Sequence, residues 1–209
     1  MEALARRVAE AGLSQDPGRD ARIWAYFQLL EKWNARVNLT GFRVSADNAE
    51  AIDRLLIEPM LAAAHAGSAR TVADVGSGSG SPAIPFAIAA PAQPALTMVE
   101  SRERKSVFLR EALRATGLTG EALTVRFEDF AASQASVEGR EIVTVRAVRL
   151  DRELLKAIVM VLKPGGRLLW FHEQGKDHPF QSDGLNWVTT IPLVTALKSY
   201  LSIASKAGP

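Results

Sequence analysis

The sequence predicts an α/β fold: a mostly parallel sheet covered by helices on both faces, preceded by a helical region. Three observations predict it. Apolar residues recur at helical spacing through the first sixty-odd positions. After residue 70 the pattern switches to alternating strands and helices. Between them, Thr71-Val-Ala-Asp-Val-Gly-Ser-Gly-Ser-Gly80 runs into Leu96-Thr-Met-Val-Glu100 as strand, glycine hinge, helix and acid-tipped strand.

In order along the chain, Ile23, Tyr26, Phe27, Leu30 and Trp33 recur at three- and four-residue steps between Asp20 and Asn34, the stripe of an amphipathic helix. Asn38-Leu-Thr-Gly41 breaks that helix. Asp47 or Asn48 caps another that carries Ile52, Leu55, Leu56 and Met60. Strands are expected at 71–75, 95–99, 122–126, 141–145 and 166–171, with helices at 82–90, 103–116 and 151–161. Lys163-Pro-Gly-Gly166 reads as the turn between the last helix and a late strand. Trp187-Val-Thr-Thr-Ile and Tyr200-Leu-Ser-Ile-Ala are expected to pair as an edge hairpin, and Gln174 to Gly184 reads as loop. The two parts divide at about residue 66, into a helical region 1–66 on the substrate side and a domain 67–209.

The 209 residues, 47% of them hydrophobic, suffice for one good core with a small appendage. Without cysteine there is no disulfide framework, thiolate metal site or thiol nucleophile. No apolar run reaches membrane-spanning length, and Met1-Glu-Ala-Leu-Ala-Arg-Arg7 lacks a secretory hydrophobic segment, so a cytoplasmic location and no membrane partner are expected. A net charge of +2 argues neither for nor against nucleic acid. Oligomeric state is not legible.

The glycine hinge is the most informative feature. Gly76, Gly78 and Gly80 permit positive φ and close approach of a ligand to the main chain, and Glu100 lies where an acid takes ribose hydroxyls. This spacing serves NAD-type and S-adenosylmethionine-type sites alike. Two details favour the second. Asp74, two residues before the first glycine, would repel a pyrophosphate but accept from an ammonium group. Pro82 and Pro85 stand in the first turns of the next helix, where a missing N–H is tolerated.

The ordered set Lys32-Trp-Asn34, Asn38-Leu-Thr40, Asp74-Val-Gly-Ser-Gly78 with Ile84-Pro85, Arg126-Phe-Glu-Asp129, Arg146-Ala147 and Pro164-Gly-Gly-Arg167 resembles the family of ribosomal RNA small-subunit methyltransferase G, also called glucose-inhibited division protein B. The resemblance implies a class I methyltransferase fold, Rossmann-like with a mostly parallel seven-stranded sheet. It also implies S-adenosyl-L-methionine as cofactor, and guanine N7 of 16S rRNA in the small ribosomal subunit as target. By the same resemblance, Gly76, Ser77, Gly78, Gly80 and Ser81 would line the methionine and ribose side of the cofactor. Glu100, with Ser101 beside it, would hold the ribose hydroxyls, and Phe127 and Glu128 would flank the adenine. Arg146 would stand at the cofactor and target site, with Asn38 facing the same opening from the helical region. The chain departs from the family's usual residues at Ser77, Ser79 and Ser81, at Leu55, Glu58 and Pro59, and at His172-Glu173. Alternatives are a paralogue with another substrate, a catalytically silent RNA- or partner-binding protein, and an NAD-dependent oxidoreductase.

Guanine N7 carries no proton, so its methylation needs alignment more than a base. Arg146 is therefore a positioning group for a carboxylate or phosphate, or an arginine closing a strand end onto a nearby acid. Arg36, Arg43 and Arg54 are candidates for RNA phosphates. Arg102, Arg104, Lys105, Arg110 and Arg114 are better read as the solvated face of one helix. Trp24, Trp33 and Trp170 are expected to pack in the core, and His65 to serve a helix end. His172-Glu173 and Asp177-His178 show no recognised ligand spacing, so no metal is expected.

Overall fold

The structure, a computed structural model, describes residues 1–133, 139–173 and 184–208. Helices α1 (Glu2–Glu10) and α2 (Pro17–Val37) open the chain. The α2 helix starts three residues earlier than the apolar stripe indicates. Asp16 caps it, accepting from the Arg19 N–H at 2.9 Å, and Pro17 occupies its first turn. Asn38 ends it in the left-handed conformation (φ 33°). Asn48, not Asp47, caps the next helical run, accepting from the Ala51 N–H at 3.3 Å. That run comprises α3 (Ala49–Ile52), a π-helical turn over Asp53–Ile57 and α4 (Glu58–Ala62).

The α/β part follows as β1 (Thr71–Val75), α5 (Ala83–Ala89), β2 (Ala95–Val99), α6 (Glu103–Thr116), β3 (Gly120–Leu123), α7 (Phe127–Ser133), β4 (Arg140–Arg146), α8 (Arg152–Val161), β5 (Leu162–Glu173), β6 (Leu185–Pro192) and β7 (Ser199–Lys206). The seven strands lie in the order β3-β2-β1-β4-β5-β7-β6. The first five are parallel, and β7 enters antiparallel to β5 with β6 as the outer strand of a hairpin. The expected edge pairing of the two last runs is thus present.

Two expectations need correction. The third strand is Gly120–Leu123, not 122–126. Pairing with β2 selects it, and Gly120 belongs there because a Cβ would lie 2.4 Å from the Leu96 carbonyl oxygen. Lys163–Gly166 is not a turn between elements but an irregularity inside β5. Leu162 pairs with Arg140 and Arg167 already with Ile142, so the four intervening residues bulge opposite Glu141. Most of the loop expected at Gln174 to Gly184 lies outside the described residues.

Two cores flank the sheet. One joins α1, α2 and the 49–62 helical run to α5, α6 and one sheet face; the other joins α7 and α8 to the opposite face. Trp33 meets Phe108 of α6 edge-on at 5.8 Å, Trp24 stacks on Phe27, and Trp170 is buried in its strand. The Trp33–Phe108 contact packs α2 on α6, and α2 also touches α5. No helix among the described residues is long and apolar enough to cross a membrane.

Candidate active site

At the carboxyl ends of the parallel strands lies a cavity of about 470 Å³, within the usual range for ligand sites. The glycine loop and Glu100 form one wall, residues 39–42 with Lys105 a second, and Arg54, Leu55 and Glu58 a third. Arg146 to Val148 and the β5 end, Phe171 to Glu173, close it. A smaller hollow of about 140 Å³ shares Gly76, Glu100 and Val148 with it and reaches Ser101, Phe127 and Glu128. Gly76 and Glu100 therefore stand between two adjoining recesses.

The loop is built from its own hydrogen bonds. The Ser77 N–H donates to the Val99 carbonyl at 3.1 Å and its hydroxyl to the Asp74 carbonyl at 3.2 Å. The Gly80 N–H turns back to the Ser77 carbonyl, and the Gly80 carbonyl accepts from the Ile84 N–H, opening α5. Gly80 is at φ 82°, a conformation that favours glycine, and a Cβ there would sit 2.7 Å from Ile84 Cδ1, which would have to shift. The Glu100 carboxylate ties the loop to the next strand, accepting the Gly78 and Arg102 N–H groups at 2.9 Å each.

Asp74 lies beneath this loop rather than on the cavity wall. It is 1% exposed, and its Oδ1 accepts from the Thr144 hydroxyl of β4, its register partner, at 2.6 Å. Its Oδ2 has no hydrogen-bond partner among the described residues. Burial pushes its carboxyl up to about 6, against the pull of Thr144 and Arg146.

Arg146 ends β4 and lines the cavity. Ala147, immediately after it, adopts φ 57° and turns the chain away. Burial lowers the guanidinium pKa, opposed by Glu58. Its Nη1 lies 3.5 Å from Glu58 Oε2 and donates to the Arg54 carbonyl; its Nη2 donates to the Ser81 hydroxyl. That hydroxyl in turn donates to the Leu55 carbonyl at 2.6 Å.

The π-helical turn explains why two helix carbonyls are available. The Glu58 N–H reaches back to the Asp53 carbonyl, and Pro59 has no N–H. The Arg54 carbonyl is thereby left without a donor four or five residues on, and the Leu55 carbonyl without its ordinary one. Arg146 and Ser81 take them. Glu58 itself is 2% exposed, its carboxyl pKa raised by burial, and Arg54 Nη1 lies 3.3 Å from its second oxygen.

The helical region shapes the remaining walls. The Tyr26 hydroxyl, fully buried, donates to the Ser79 carbonyl at 2.8 Å. Asn34 Oδ1 accepts from the Leu39 and Thr40 N–H groups at 2.7 and 2.9 Å, while its Nδ2 donates to the Phe42 carbonyl at 3.2 Å. Lys105 Nζ meets the Leu39 carbonyl at 3.4 Å from the other side. Asn38 is exposed at its helix end and is not part of the lining, which its successors Leu39 to Phe42 provide. Tyr26 and Asn34 hold the loop and the wall of the cavity, positions that sequence reasoning missed. Tyr26 fell within an apolar stripe, and Asn34 was only one letter of a motif.

Phe127 is buried against Phe130, with Glu128 exposed beside it, and Ser101 is exposed at the hollow's edge. Within the basic cluster of α6, Lys105 lines the cavity, Arg110 donates to the Ala122 carbonyl at 3.3 Å, and Arg102, Arg104 and Arg114 are exposed. His172 is stacked between Trp170 and Tyr200, with Nε2 2.8 Å from the Ser202 hydroxyl and Nδ1 3.0 Å from the Glu173 carbonyl. Among the described residues no cluster of metal-ligating side chains occurs; Asp177 and His178 lie outside them.

A sequence model of the family described as rRNA small subunit methyltransferase G matches residues 19–185. The ribosomal RNA small subunit methyltransferase G of Aromatoleum aromaticum is 33% identical over 169 residues, covering 79% of this chain and 77% of the relative. That of Paramagnetospirillum magneticum is 31% identical over 193 residues, covering 91% and 87%. Among solved structures, a Klebsiella pneumoniae protein described as an O-methyltransferase superposes with a TM-score of 0.64 at 14% identity over 97% of this chain and 96% of that one. The mitomycin 7-O-methyltransferase MmcR does so with a TM-score of 0.58 at 18% identity over 92% and 69%. Such low identities show a common fold, and the family match over most of the chain shows descent: this protein belongs to the rRNA small subunit methyltransferase G family and has the Rossmann-like fold of class I methyltransferases.

Proposed function

We propose that the protein transfers a methyl group from S-adenosyl-L-methionine to N7 of a guanine in 16S rRNA of the small ribosomal subunit. The observation that carries this reading is the cavity itself. It opens at the carboxyl ends of β1 and β4, between a glycine loop suited to a nucleoside cofactor and a helical wall bearing Arg54, with Arg146 of β4 beside it. Residues 67–209 act as the methyltransferase domain, and residues 1–66 supply the substrate side.

The donor set fits the cofactor. The backbone of Gly76 to Ser81 lines the cavity and suits an amino-acid end, and the Asp74 carboxylate buried beneath it favours a cationic group there. Glu100 lines both recesses, and its carboxylate suits vicinal hydroxyls. Phe127, Glu128 and Ser101 border a hollow suited to a flat purine. When bound, S-adenosylmethionine supplies an electrophilic methyl group on a positively charged sulfur.

The chain's own task is alignment. Guanine N7 offers a lone pair without a proton, so no side chain has to remove one. Consistent with this, both nitrogens of His172, the only histidine on the wall among the described residues, are already engaged. Arg146 is held at four points, by Glu58, Ser81, the Arg54 carbonyl and the Phe171 ring beneath it at 5.9 Å. A guanidinium so restrained is suited to orient a carboxylate or phosphate rather than to exchange protons. Leu39 to Phe42, held by Asn34, present the substrate wall.

The test is transfer of labelled methyl from S-adenosylmethionine to small ribosomal subunits from cells lacking this enzyme, followed by nucleoside analysis. Label in N7-methylguanine is expected. Label in another nucleoside, or none despite cofactor binding, overturns the assignment.

A further inference from the structure

Arg54 stands where the cavity wall passes from the helical region to the last strands. Its Nη1 lies 3.3 Å from Glu58 Oε1, and its Nη2 lies 3.1 Å from Glu173 Oε1 and donates to the Leu197 carbonyl at 3.1 Å. Arg146 shares Glu58 from the other side at 3.5 Å. Two guanidiniums therefore meet one buried carboxylate, leaving a formal charge of +1 that Glu173 cancels.

The anionic partners of Arg54 are not equivalent. The Glu58 side chain is 2% exposed and cannot leave without stranding a charge in the interior, whereas the Glu173 side chain, at the end of β5, is 63% exposed. An ion pair with one arm in water is weak and readily exchanged. Glu58 and the Leu197 carbonyl hold Arg54 in place whichever anion occupies its outer face.

We infer that Arg54 is a binding site for an RNA phosphate and that Glu173 occupies it in the free protein, so that a phosphodiester oxygen replaces the Glu173 carboxylate on binding. This rests on the RNA-methyltransferase reading given above. The exchange is isoelectric at Arg54: one oxygen anion leaves the planar fork and another takes its place. Glu173 thus lowers the affinity of the cavity for any polyanion that is not also held elsewhere on the protein.

The experiment is a double-mutant cycle on binding of a short fluorescein-labelled single-stranded RNA, read by anisotropy across a salt series. Glu173→Gln is expected to bind about two- to fivefold more tightly than wild type, the range an exposed ion pair supports. The gain should shrink as salt rises, because the exposed ion pair that the substitution removes is itself screened. In the Arg54→Gln background the same change should bring no gain. Glu173→Asp keeps the charge but shortens the arm, and because the site is exposed it does not threaten the fold. The latch predicts a gain close to that of Glu173→Gln, whereas a simple net-charge effect predicts none. A gain that persists without Arg54, or no gain from either Glu173 variant, overturns the inference. Methyl transfer to small subunits is followed alongside. Transfer with a flat cycle rejects the latch alone; an intact cycle without transfer rejects the proposed reaction and leaves the latch standing.

Discussion

The hydroxyl of Tyr26 in α2 donates to the carbonyl of Ser79 in the glycine loop at 2.8 Å, both residues being buried. The helical region is thus bonded directly to the loop proposed to hold the cofactor. Tyr26→Phe leaves the Ser79 carbonyl buried and unpaired, so the protein should lose about 1–2 kcal/mol of stability. Because the same bond positions Gly78 and Gly80, cofactor affinity should fall several-fold; calorimetric titration and thermal unfolding measure the two effects separately.

Pro59 acts on Arg146 without touching it. Its missing N–H is one reason the Arg54 and Leu55 carbonyls face Arg146 and Ser81. Pro59→Ala returns a donor that competes for one of them. Stability is expected to stay within about 1 kcal/mol of wild type, since the carbonyls that the missing N–H leaves are already bonded to Arg146 and Ser81. Methyl transfer is expected to fall roughly tenfold, the weight of one charge-assisted hydrogen bond. An unchanged rate in steady-state kinetics rejects this account of the π-helical turn.

Arg146 and Glu58 are coupled through a buried pair. Arg146→Ala should destabilise the fold by about 1–3 kcal/mol, less than a fully stranded charge because Arg54 still faces Glu58. The double variant Arg146→Ala/Glu58→Gln should regain much of that stability in urea unfolding but none of the activity. Recovery of both would make Arg146 merely structural.

The buried carboxyl of Asp74 sets a pH window. Its folded pKa, about 6, lies above its ordinary value of 3.8, so the folded state binds the extra proton between them. The associated stability is full below about pH 4 and is lost as pH rises through about 6. Asp74→Asn, which mimics the neutral form, should therefore unfold at higher urea than wild type above pH ~6, by roughly 1–3 kcal/mol. The same variant should bind S-adenosylmethionine more weakly at neutral pH. A stability difference that does not change with pH contradicts the assignment of this window to Asp74.

Much of this architecture is local and therefore readable. Thr71–Val75, Ala95–Val99 and Glu103–Thr116 begin and end where the sequence places them, because buried parallel strands are short apolar runs and the helix is terminated by Gly117. The glycine loop, Glu100 and Arg146 were likewise legible, since each sits at a strand end. The third strand and the Lys163–Gly166 bulge were not. Their limits are set by hydrogen bonding to β2 and β4, partners remote in sequence.

The sequence by itself determined the fold class, the family and the loop on which the proposed cofactor site is built, because those depend on short local patterns and their order along the chain. Only the tertiary structure decided what surrounds that loop. It joined Tyr26 to Ser79, Asn34 to the 39–42 wall, and Arg54, Glu58, Arg146 and Glu173 into one charged cluster, and it left Asn38 outside the cavity. Apart from the Asn34 and Arg54–Glu58 contacts, these join residues up to 119 positions apart, and hydrogen bonds and charge pairs act through space over a few ångströms, so no local pattern encodes them.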